Sequence, residues 1–240
     1  MRPIHRGGSP LAADYEDHRD AFGELASRVG QFCTYCERQI PTNLAVEHIQ
    51  PKKLPTYQHL EGRWENFLLG CVNCNSTKGM KDVVLHHVLL PDRDNTAAAY
   101  VYTQDGRLEI EPGLTAAQRT MAIATLQLTG LDKPIKKVTD SNSKLVAVDR
   151  VAQRMECWLT AEDSKTDLIV NMSIAFRKQI VKIALATGHF SIWMTVFAND
   201  PVQRRLFIDQ FPGTAPDCYD ADTSVVTPRP PNGLPHGSKV

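Results

Sequence analysis

Two C-x-x-C pairs constrain the fold of this chain more than any other feature of its sequence. Four of its six cysteines fall in the stretches "CTYC" and "CVNC", as Cys33, Cys36, Cys71 and Cys74. Two turns that each present two thiolates have the spacing of a tetrahedral four-cysteine zinc site. Cysteines that were simply buried in a core would leave this paired spacing unexplained. We therefore predict a structural zinc ion that joins a loop to a helix and, because four protein ligands close the site, does not itself catalyse.

The composition of the chain is that of an ordinary globular protein. Its 240 residues are 42% hydrophobic and 22% charged, so most of the chain should bury a core. The 27 Lys and Arg residues equal the 27 Asp and Glu residues, and net charge therefore gives no reason to expect tight unaided binding to nucleic acid. Any such affinity must be local or come from a partner.

The sequence gives no sign of export or of a membrane span. Its first twenty residues lack the apolar core of a signal peptide, and no run approaches the roughly 18 apolar residues that a membrane helix requires. Without a secretion signal, reducing conditions also favour a metal site over disulfides. We expect a cytoplasmic protein with no membrane contact.

Strand and helix patterns surround the cysteines. The stretch "LAVEHI" has strand character, a loop with two prolines follows, and "FLLGC" is a second short apolar run. A helical pattern begins at about Ser76 and continues through "VVLHHVLL", with Gly79 as its weak point. Ahead of Cys33, a first helix is expected to end before Gly30. The predicted order is helix, strand, loop, strand, helix.

The second half of the chain is predicted to be mainly helical after one hairpin. An Asp-Gly dipeptide between two β-prone segments predicts a hairpin from about Tyr100 to Ile110. A helix is expected from its cap Thr115 to Gly130. A long helical pattern covers about Ser143 to Ala186, and one or two further helices are broken near Asp200.

These patterns predict an α+β chain. A small ββα module that carries the zinc site is embedded in a mainly α-helical chain with a β-hairpin and an extended C-terminal tail. The tail is rich in Pro, Gly and small polar residues, which bury too little apolar area to offset their ordering entropy. The predicted segments are a helical N-terminus at 1–32, the ββα zinc module at 33–95, the hairpin and helical body at 96–213, and an extended or disordered tail at 214–240.

Four polar residues lie between and just after the cysteine pairs: Glu47, His48, Asn66 and Asn75. Adjacent strand residues point to opposite faces, so Glu47 and His48 share a site only where the strand end is twisted or grips a substrate. A helix that starts after Asn75 would bring its amide back beside Glu47. Glu47 and Asn75 offer the oxygen ligands that Mg2+ prefers, and a neutral His48 beside such an ion could take a proton from water.

Each of these features also has a plainer explanation. A Glu-His pair at a strand end is more often a solvated edge or a structural hydrogen bond. The region could also be a zinc-ribbon module that binds nucleic acid or protein without catalysis. Asn66 and Asn75 favour the catalytic interpretation, because a binding ribbon has no need to place them.

The combined motifs resemble the HNH endonuclease family, in particular its four-cysteine zinc branch with the ββα-metal fold. The stretches that carry the resemblance are "CTYC", "VEHIQPKK", "ENFLLGC" and "CVNCNSTKG". The resemblance implies that Glu47 and Asn75 hold a catalytic Mg2+ or Mn2+ and that His48 is the general base. It also implies that Asn66 braces the loop and orients His48, and that Lys78 contacts phosphate.

A mild excess of positive charge surrounds the motif. Five basic residues outnumber the acidic ones there: Lys52, Lys53, Arg63, Lys78 and Lys81. Such a local field suits phosphate contacts, although charged loops are usually just solvated. With Lys78, we predict Lys52 and Lys53 as residues that bind a DNA substrate.

Outside the motif, the chain is similar to the HNH proteins of Septu-type and some retron-associated anti-phage systems, often called PtuB. The similar stretches include "GQFCTYCER", "LQLTGL" and "HFSIWMTVFANDP". This resemblance implies a DNA nuclease that is the effector of a defence complex and works with an ABC/SMC-like ATPase, PtuA.

Overall fold

The computed structural model describes residues 1–133 and 150–240. The helices and strands within them are, in chain order, α1 (Phe22–Val29), β1 (Leu44–His48), β2 (Phe67–Cys71), α2 (Val72–Lys78), β3 (Tyr100–Tyr102), β4 (Leu108–Ile110), α3 (Ala116–Thr129), α4 (Arg150–Val170), α5 (Ile174–Thr187), α6 (Phe190–Val196) and α7 (Pro201–Gln210). The predicted α+β class is confirmed, since helices are combined with two small antiparallel sheets. None of the described helices is long and apolar enough to cross a membrane.

Strands β1 and β2 and helix α2 form a ββα unit. The strands pair antiparallel, with Leu44 opposite Cys71 and His48 opposite Phe67. Every residue of β2 is buried, since both α1 and α2 contact this strand. Helix α2 follows β2 without a loop. The predicted order of strand, loop, strand and helix is confirmed.

Helix α2 differs from its prediction at both ends. It begins at Val72, before Asn75, and ends at Lys78. Gly79 ends the helix with a φ of 54°, a backbone conformation that residues with a Cβ atom rarely adopt. The prediction that the helix continues through "VVLHHVLL" is therefore wrong. This stretch has only a 3-10 turn at Leu85–His87, and it buries its apolar residues from an irregular backbone.

Residues at the ends of three other predicted elements account for their bounds. Helix α1 is preceded by a 3-10 turn at His18–Ala21 and ends at Val29, and the next residue is Gly30, whose φ is 75°. The hairpin is confirmed by the pairing of β3 with β4. Helix α3 is confirmed with a capping box at Thr115 and a left-handed Gly130 after its last turn.

The long helical pattern predicted from Ser143 to Ala186 is more than one helix. Its first residues lie outside the described part of the chain, and residues 171–173 separate α4 from α5. The hydroxyl of Ser173 accepts a backbone hydrogen bond that caps α5. The predicted break near Asp200 is confirmed, because the Asp200 side chain caps α7 and Pro201 is the first residue of that helix.

A buried carboxylate, Glu37, connects the zinc module to the helical body. It accepts hydrogen bonds from the backbone N–H of Arg2 (2.6 Å), from the N–H and the hydroxyl of Ser191 (2.7 Å each) and from the hydroxyl of Tyr102 (3.1 Å). One side chain thus joins the first residues, β3 and α6 to the turn that follows Cys36. These bonds satisfy a charge that burial would otherwise make costly.

The C-terminal segment, residues 214–240, lies along the body of the protein. The Asn95 amide donates to the carbonyl oxygens of Cys218 (2.9 Å) and Val226 (2.8 Å), and Val240 is buried. Side chains of the body therefore provide part of the hydrogen bonding that a sheet would otherwise supply. Buried apolar residues from both ends of the chain belong to one core, and the division into four segments stays a prediction.

Candidate active site

The four paired cysteines meet at one point beside the ββα unit. Their Sγ atoms all lie within 4.8 Å of one another, and all four residues are buried. The Sγ atoms of Cys36 and Cys71 are 3.7 Å apart. A tetrahedral ion with Zn–S bonds of about 2.3 Å requires sulfur pairs about 3.8 Å apart. The prediction that these cysteines form one cluster is confirmed, and its geometry fits a zinc ion.

Two arginines donate hydrogen bonds to the cysteine sulfurs. Arg38 contacts the Sγ atoms of Cys36 (3.4 Å) and Cys71 (3.2 Å), and Arg150 contacts that of Cys74 (3.4 Å). Four thiolates around one Zn2+ carry a net charge of about minus two, which two guanidinium groups offset. Because Arg150 begins the described part of α4, this contact also ties the helical body to the zinc centre.

Glu47 is a buried carboxylate with two polar neighbours. Its Oε2 atom accepts a hydrogen bond from the Tyr35 hydroxyl (2.8 Å), and its Oε1 atom lies 2.7 Å from Nζ of Lys78 in an ion pair. Burial raises the pKa of Glu47, while Lys78 and Tyr35 act against that change. Each oxygen of the carboxylate thus has one polar neighbour, the Tyr35 hydroxyl at Oε2 and the Lys78 ammonium group at Oε1.

The backbone of Glu61 fixes the tautomer of His48. Nε2 of His48 lies 2.9 Å from the carbonyl oxygen of Glu61. A carbonyl oxygen only accepts, so Nε2 carries the proton and Nδ1 of the neutral ring has a free lone pair. The ring packs edge-on against Phe67, at 5.3 Å between centroids. Burial lowers the pKa of His48 to about 4, so the ring is neutral at pH 7.

Asn66 connects the end of β1 to the loop that holds His48. Its Oδ1 atom accepts from the backbone N–H of Gln50 (2.8 Å), and its Nδ2 atom donates to the carbonyl oxygens of Gln50 (3.0 Å) and Leu60 (3.3 Å). Leu60 directly precedes Glu61, whose carbonyl oxygen holds the imidazole of His48. Asn66 therefore contacts both the segment after β1 and the loop that holds His48, and its bracing role stays a prediction.

Replacing Asn66 with alanine is expected to lower the free energy of unfolding by about 3 kcal/mol, because three hydrogen bonds are lost and partly buried backbone groups of Gln50 and Leu60 lose a partner. Urea denaturation followed by circular dichroism measures this change. Asn73→Ala, an exposed asparagine of α2, is the control and should change the free energy by less than about 0.5 kcal/mol. Equal losses for the two variants would contradict the bracing role.

One cavity of about 360 Å³ collects three of the four predicted catalytic residues, and Asn66 does not line it. Glu47, His48 and Asn75 line it. The cavity lies at the end of β1, where neighbouring side chains reach one site although they leave the strand on opposite faces. A Cβ atom added to Gly70 would lie 3.0 Å from Cβ of Glu47 and 3.7 Å from Cβ of Asn75. Glycine at this position therefore lets Glu47 and α2 approach each other closely.

The three predicted substrate lysines also line this cavity: Lys52, Lys53 and Lys78. Lys78 is only 2% exposed and is the ion-pair partner of Glu47. Lys52 pairs with the Glu61 carboxylate at 2.6 Å, and Lys53 is exposed. Lys52 and Lys53 are thus better placed than Lys78 to meet a phosphate from solution.

Sequence reasoning missed four residues of this region: His18, Tyr35, Arg38 and Arg150. Tyr35 lies between Cys33 and Cys36 in the sequence, and this position could have indicated that its side chain contacts the site. In the structure its hydroxyl donates to Glu47 of β1. No signal in the sequence connects His18 or Arg150 with the motif, since both come from distant segments.

The four-cysteine cluster and the cavity both adjoin the ββα unit. In a comparison with protein families, the HNH endonuclease family model matches residues 33–81. This span holds both cysteine pairs and every predicted catalytic residue. No curated protein matches the chain. The match indicates a nuclease that acts on nucleic acid.

Proposed function

We propose that this protein is a metal-dependent endonuclease that hydrolyses phosphodiester bonds in DNA. One observation carries the proposal: a single cavity brings together a neutral His48, with the lone pair of its Nδ1 atom, and a buried Glu47 carboxylate whose Oε1 atom is paired with Lys78. A zinc ribbon that only binds a partner needs neither group. Both residues lie within the span that matches the HNH family.

The residues of the cavity fit a catalytic divalent ion. Glu47 and Asn75 offer the oxygen donors that Mg2+ and Mn2+ take in proteins. Oε1 of Glu47 is buried with the Lys78 ammonium group 2.7 Å away, so this oxygen already faces a positive charge, as a ligand to a cation would. When bound, such an ion stabilises charge on the scissile phosphate and on the departing 3′ oxygen. Lys78 neutralises Glu47 in the described structure.

The protein side chains perform the remaining steps. His48 accepts a proton from the attacking water at Nδ1, and the Glu61 carbonyl keeps the opposite nitrogen protonated. Asn66 holds the loop that provides this carbonyl oxygen. Lys52 and Lys53 bind phosphates of the DNA strand beside the cavity.

We further propose that the nuclease is the cytoplasmic effector of an anti-phage defence complex with an ABC/SMC-like ATPase. The resemblance of segments outside the motif to PtuB proteins supports this role. The balance of 27 basic and 27 acidic residues also suits a nuclease that binds DNA weakly until a partner recruits it. Co-purification with the product of a neighbouring ATPase gene tests the partnership, and failure to associate would leave a nuclease that acts without this partner.

Cleavage should require added Mg2+ or Mn2+ and Glu47. We expect plasmid and linear DNA to be cut by the purified chain, alone or with its partner, only when one of these ions is present. Glu47→Gln should abolish cutting because it removes the charge that holds the ion. Glu65→Gln, an exposed glutamate outside the cavity, is the matched control and should cut as the parent does. A chain that binds DNA but never cuts it would indicate the zinc-ribbon function instead.

A further inference from the structure

His18 lies outside the matched span but in the wall of the candidate active site. It begins the 3-10 turn that leads into α1, and it lines the same cavity as Glu47, His48 and Asn75. The centroids of the His18 and His48 rings are 4.6 Å apart. The fold therefore adds a second imidazole to this cavity from a segment that precedes residues 33–81.

The neighbours of His18 decide which of its ring nitrogens carries the proton. Nδ1 lies 3.4 Å from Nζ of Lys52, and an ammonium group only donates hydrogen bonds. The Asp17 carboxylate is 3.5 Å from the same nitrogen, but Arg19 binds both of its oxygens at shorter distances. Nδ1 therefore accepts from Lys52, and the proton of the neutral ring lies on Nε2.

The Nε2–H group of His18 remains available as a donor. Among the described residues it has no hydrogen-bond partner. The ring itself is held in place, because Lys52 bridges Nδ1 of His18 and the Glu61 carboxylate (2.6 Å). Glu61 also holds His48 through its carbonyl oxygen. One network thus fixes both imidazoles relative to each other.

We infer that His18 is a further catalytic residue, whose Nε2–H group donates a hydrogen bond to an oxygen of the scissile phosphate. The inference rests on the proposed nuclease function. As water attacks, negative charge develops on the phosphate oxygens. A hydrogen-bond donor that is already fixed in place therefore stabilises the transition state more than it stabilises bound DNA. His18 keeps its proton throughout, and the proton of the attacking water goes to His48.

Three substitutions of His18 separate this role from simple packing. His18→Ala removes the donor and the ring, His18→Phe keeps a ring against His48 without a donor, and His18→Gln keeps a side-chain N–H. Single-turnover cleavage of a DNA duplex with Mg2+ should slow at least about tenfold for the alanine and phenylalanine variants. The glutamine variant should recover part of the rate. His87→Ala, which changes an exposed histidine away from the cavity, should cleave as the parent does.

DNA affinity provides the second measurement. In a His48→Ala background, which cleaves slowly, His18→Ala should change the dissociation constant for the duplex less than about threefold, because the contact acts mainly in the transition state. Parental cleavage by His18→Ala would overturn the inference, and so would parental cleavage by His18→Phe, which would show that the ring serves only to pack. A large loss of affinity with an unchanged rate at saturation would also overturn it.

Histidine NMR separates this inference from the proposed function. In 15N-histidine-labelled His48→Ala protein, saturating duplex DNA at low salt should shift the Nε2–H signal of His18, which His18→Gln removes from the spectrum. If the signal shifts while the parent never cuts DNA, the phosphate contact stands and the nuclease function fails. If the parent cuts DNA and the signal does not shift, the inference about His18 fails alone. A chain that binds no duplex at low salt contradicts both.

Discussion

Replacing His48 with alanine is expected to slow DNA cleavage about 10²- to 10⁴-fold while the protein stays folded. The substitution removes the Nδ1 lone pair that would accept the proton of the attacking water. It also removes a ring that packs on Phe67, whereas the four cysteines of the cluster are unchanged. Cleavage rates at saturating Mg2+, with circular dichroism as a measure of folding, check this result.

The pH dependence of cleavage gives an independent test of His48. Only the neutral ring can act as a base, and burial lowers its pKa to about 4, against about 6.5 in an unfolded chain. Protonation of His48 should therefore not reduce the rate between pH 8 and pH 6, and its effect should begin below about pH 5. A loss of rate centred near pH 6.5 that disappears in His48→Ala would contradict the buried, neutral base. His87→Ala is the control and should keep the parental profile.

The parts of the site that could be predicted are those that neighbouring residues encode. Paired cysteine spacing predicts the metal cluster because two turns can each offer only two sulfurs to one ion. The short apolar runs and the pairing of β1 with β2 place Glu47 and His48 near α2. Caps act within a few residues, so Thr115 and Asp200 could be read directly as helix starts.

Contacts between distant segments could not be predicted. Lys78 was expected at a phosphate, yet the close approach of α2 to β1 buries its ammonium group against Glu47. His18 and Arg150 reach the zinc module from segments that no local pattern connects to it. The end of α2 at Gly79 is a different case: the glycine is a weak point of the helical pattern, but the apolar residues beyond it predict a longer helix. Tertiary packing buries that pattern without a helix.

The placement of the C-terminal segment, residues 214–240, also depends on hydrogen bonds to residues that are distant in the sequence. Its composition predicts a chain that cannot bury enough apolar area by itself. Asn95 of the body donates to carbonyl oxygens of the segment, and Asn232 of the segment donates to the carbonyl oxygens of Ile4 and Asp92. A composition argument counts only what a segment forms by itself, and here hydrogen bonds to the body hold the segment in place.

Replacing Cys33 with serine is expected to remove zinc from the protein and to unfold the ββα module. Structural zinc contributes about 10–16 kcal/mol to the folding of small zinc domains, which is comparable with the total stability of about 5–15 kcal/mol that is typical of a domain. Serine lacks the soft thiolate that zinc prefers. The Sγ atom of Cys33 also accepts the backbone N–H of Cys71 (3.4 Å), so the change affects both cysteine pairs.

Elemental analysis and thermal unfolding measure the two effects of Cys33→Ser. The parent, prepared without chelator, should hold about one zinc ion per chain, and the variant much less, with loss of the cooperative unfolding transition. Cys157→Ser is the matched control, because Cys157 is a buried thiol outside the cluster. It should keep its zinc and lose only about 1–3 kcal/mol from burial of a hydroxyl group. If Cys33→Ser kept its zinc and unfolded at the temperature of the control, the four cysteines would not be holding the module together. The ββα unit would then owe its stability to the apolar contacts of β2 and to the Glu37 network alone.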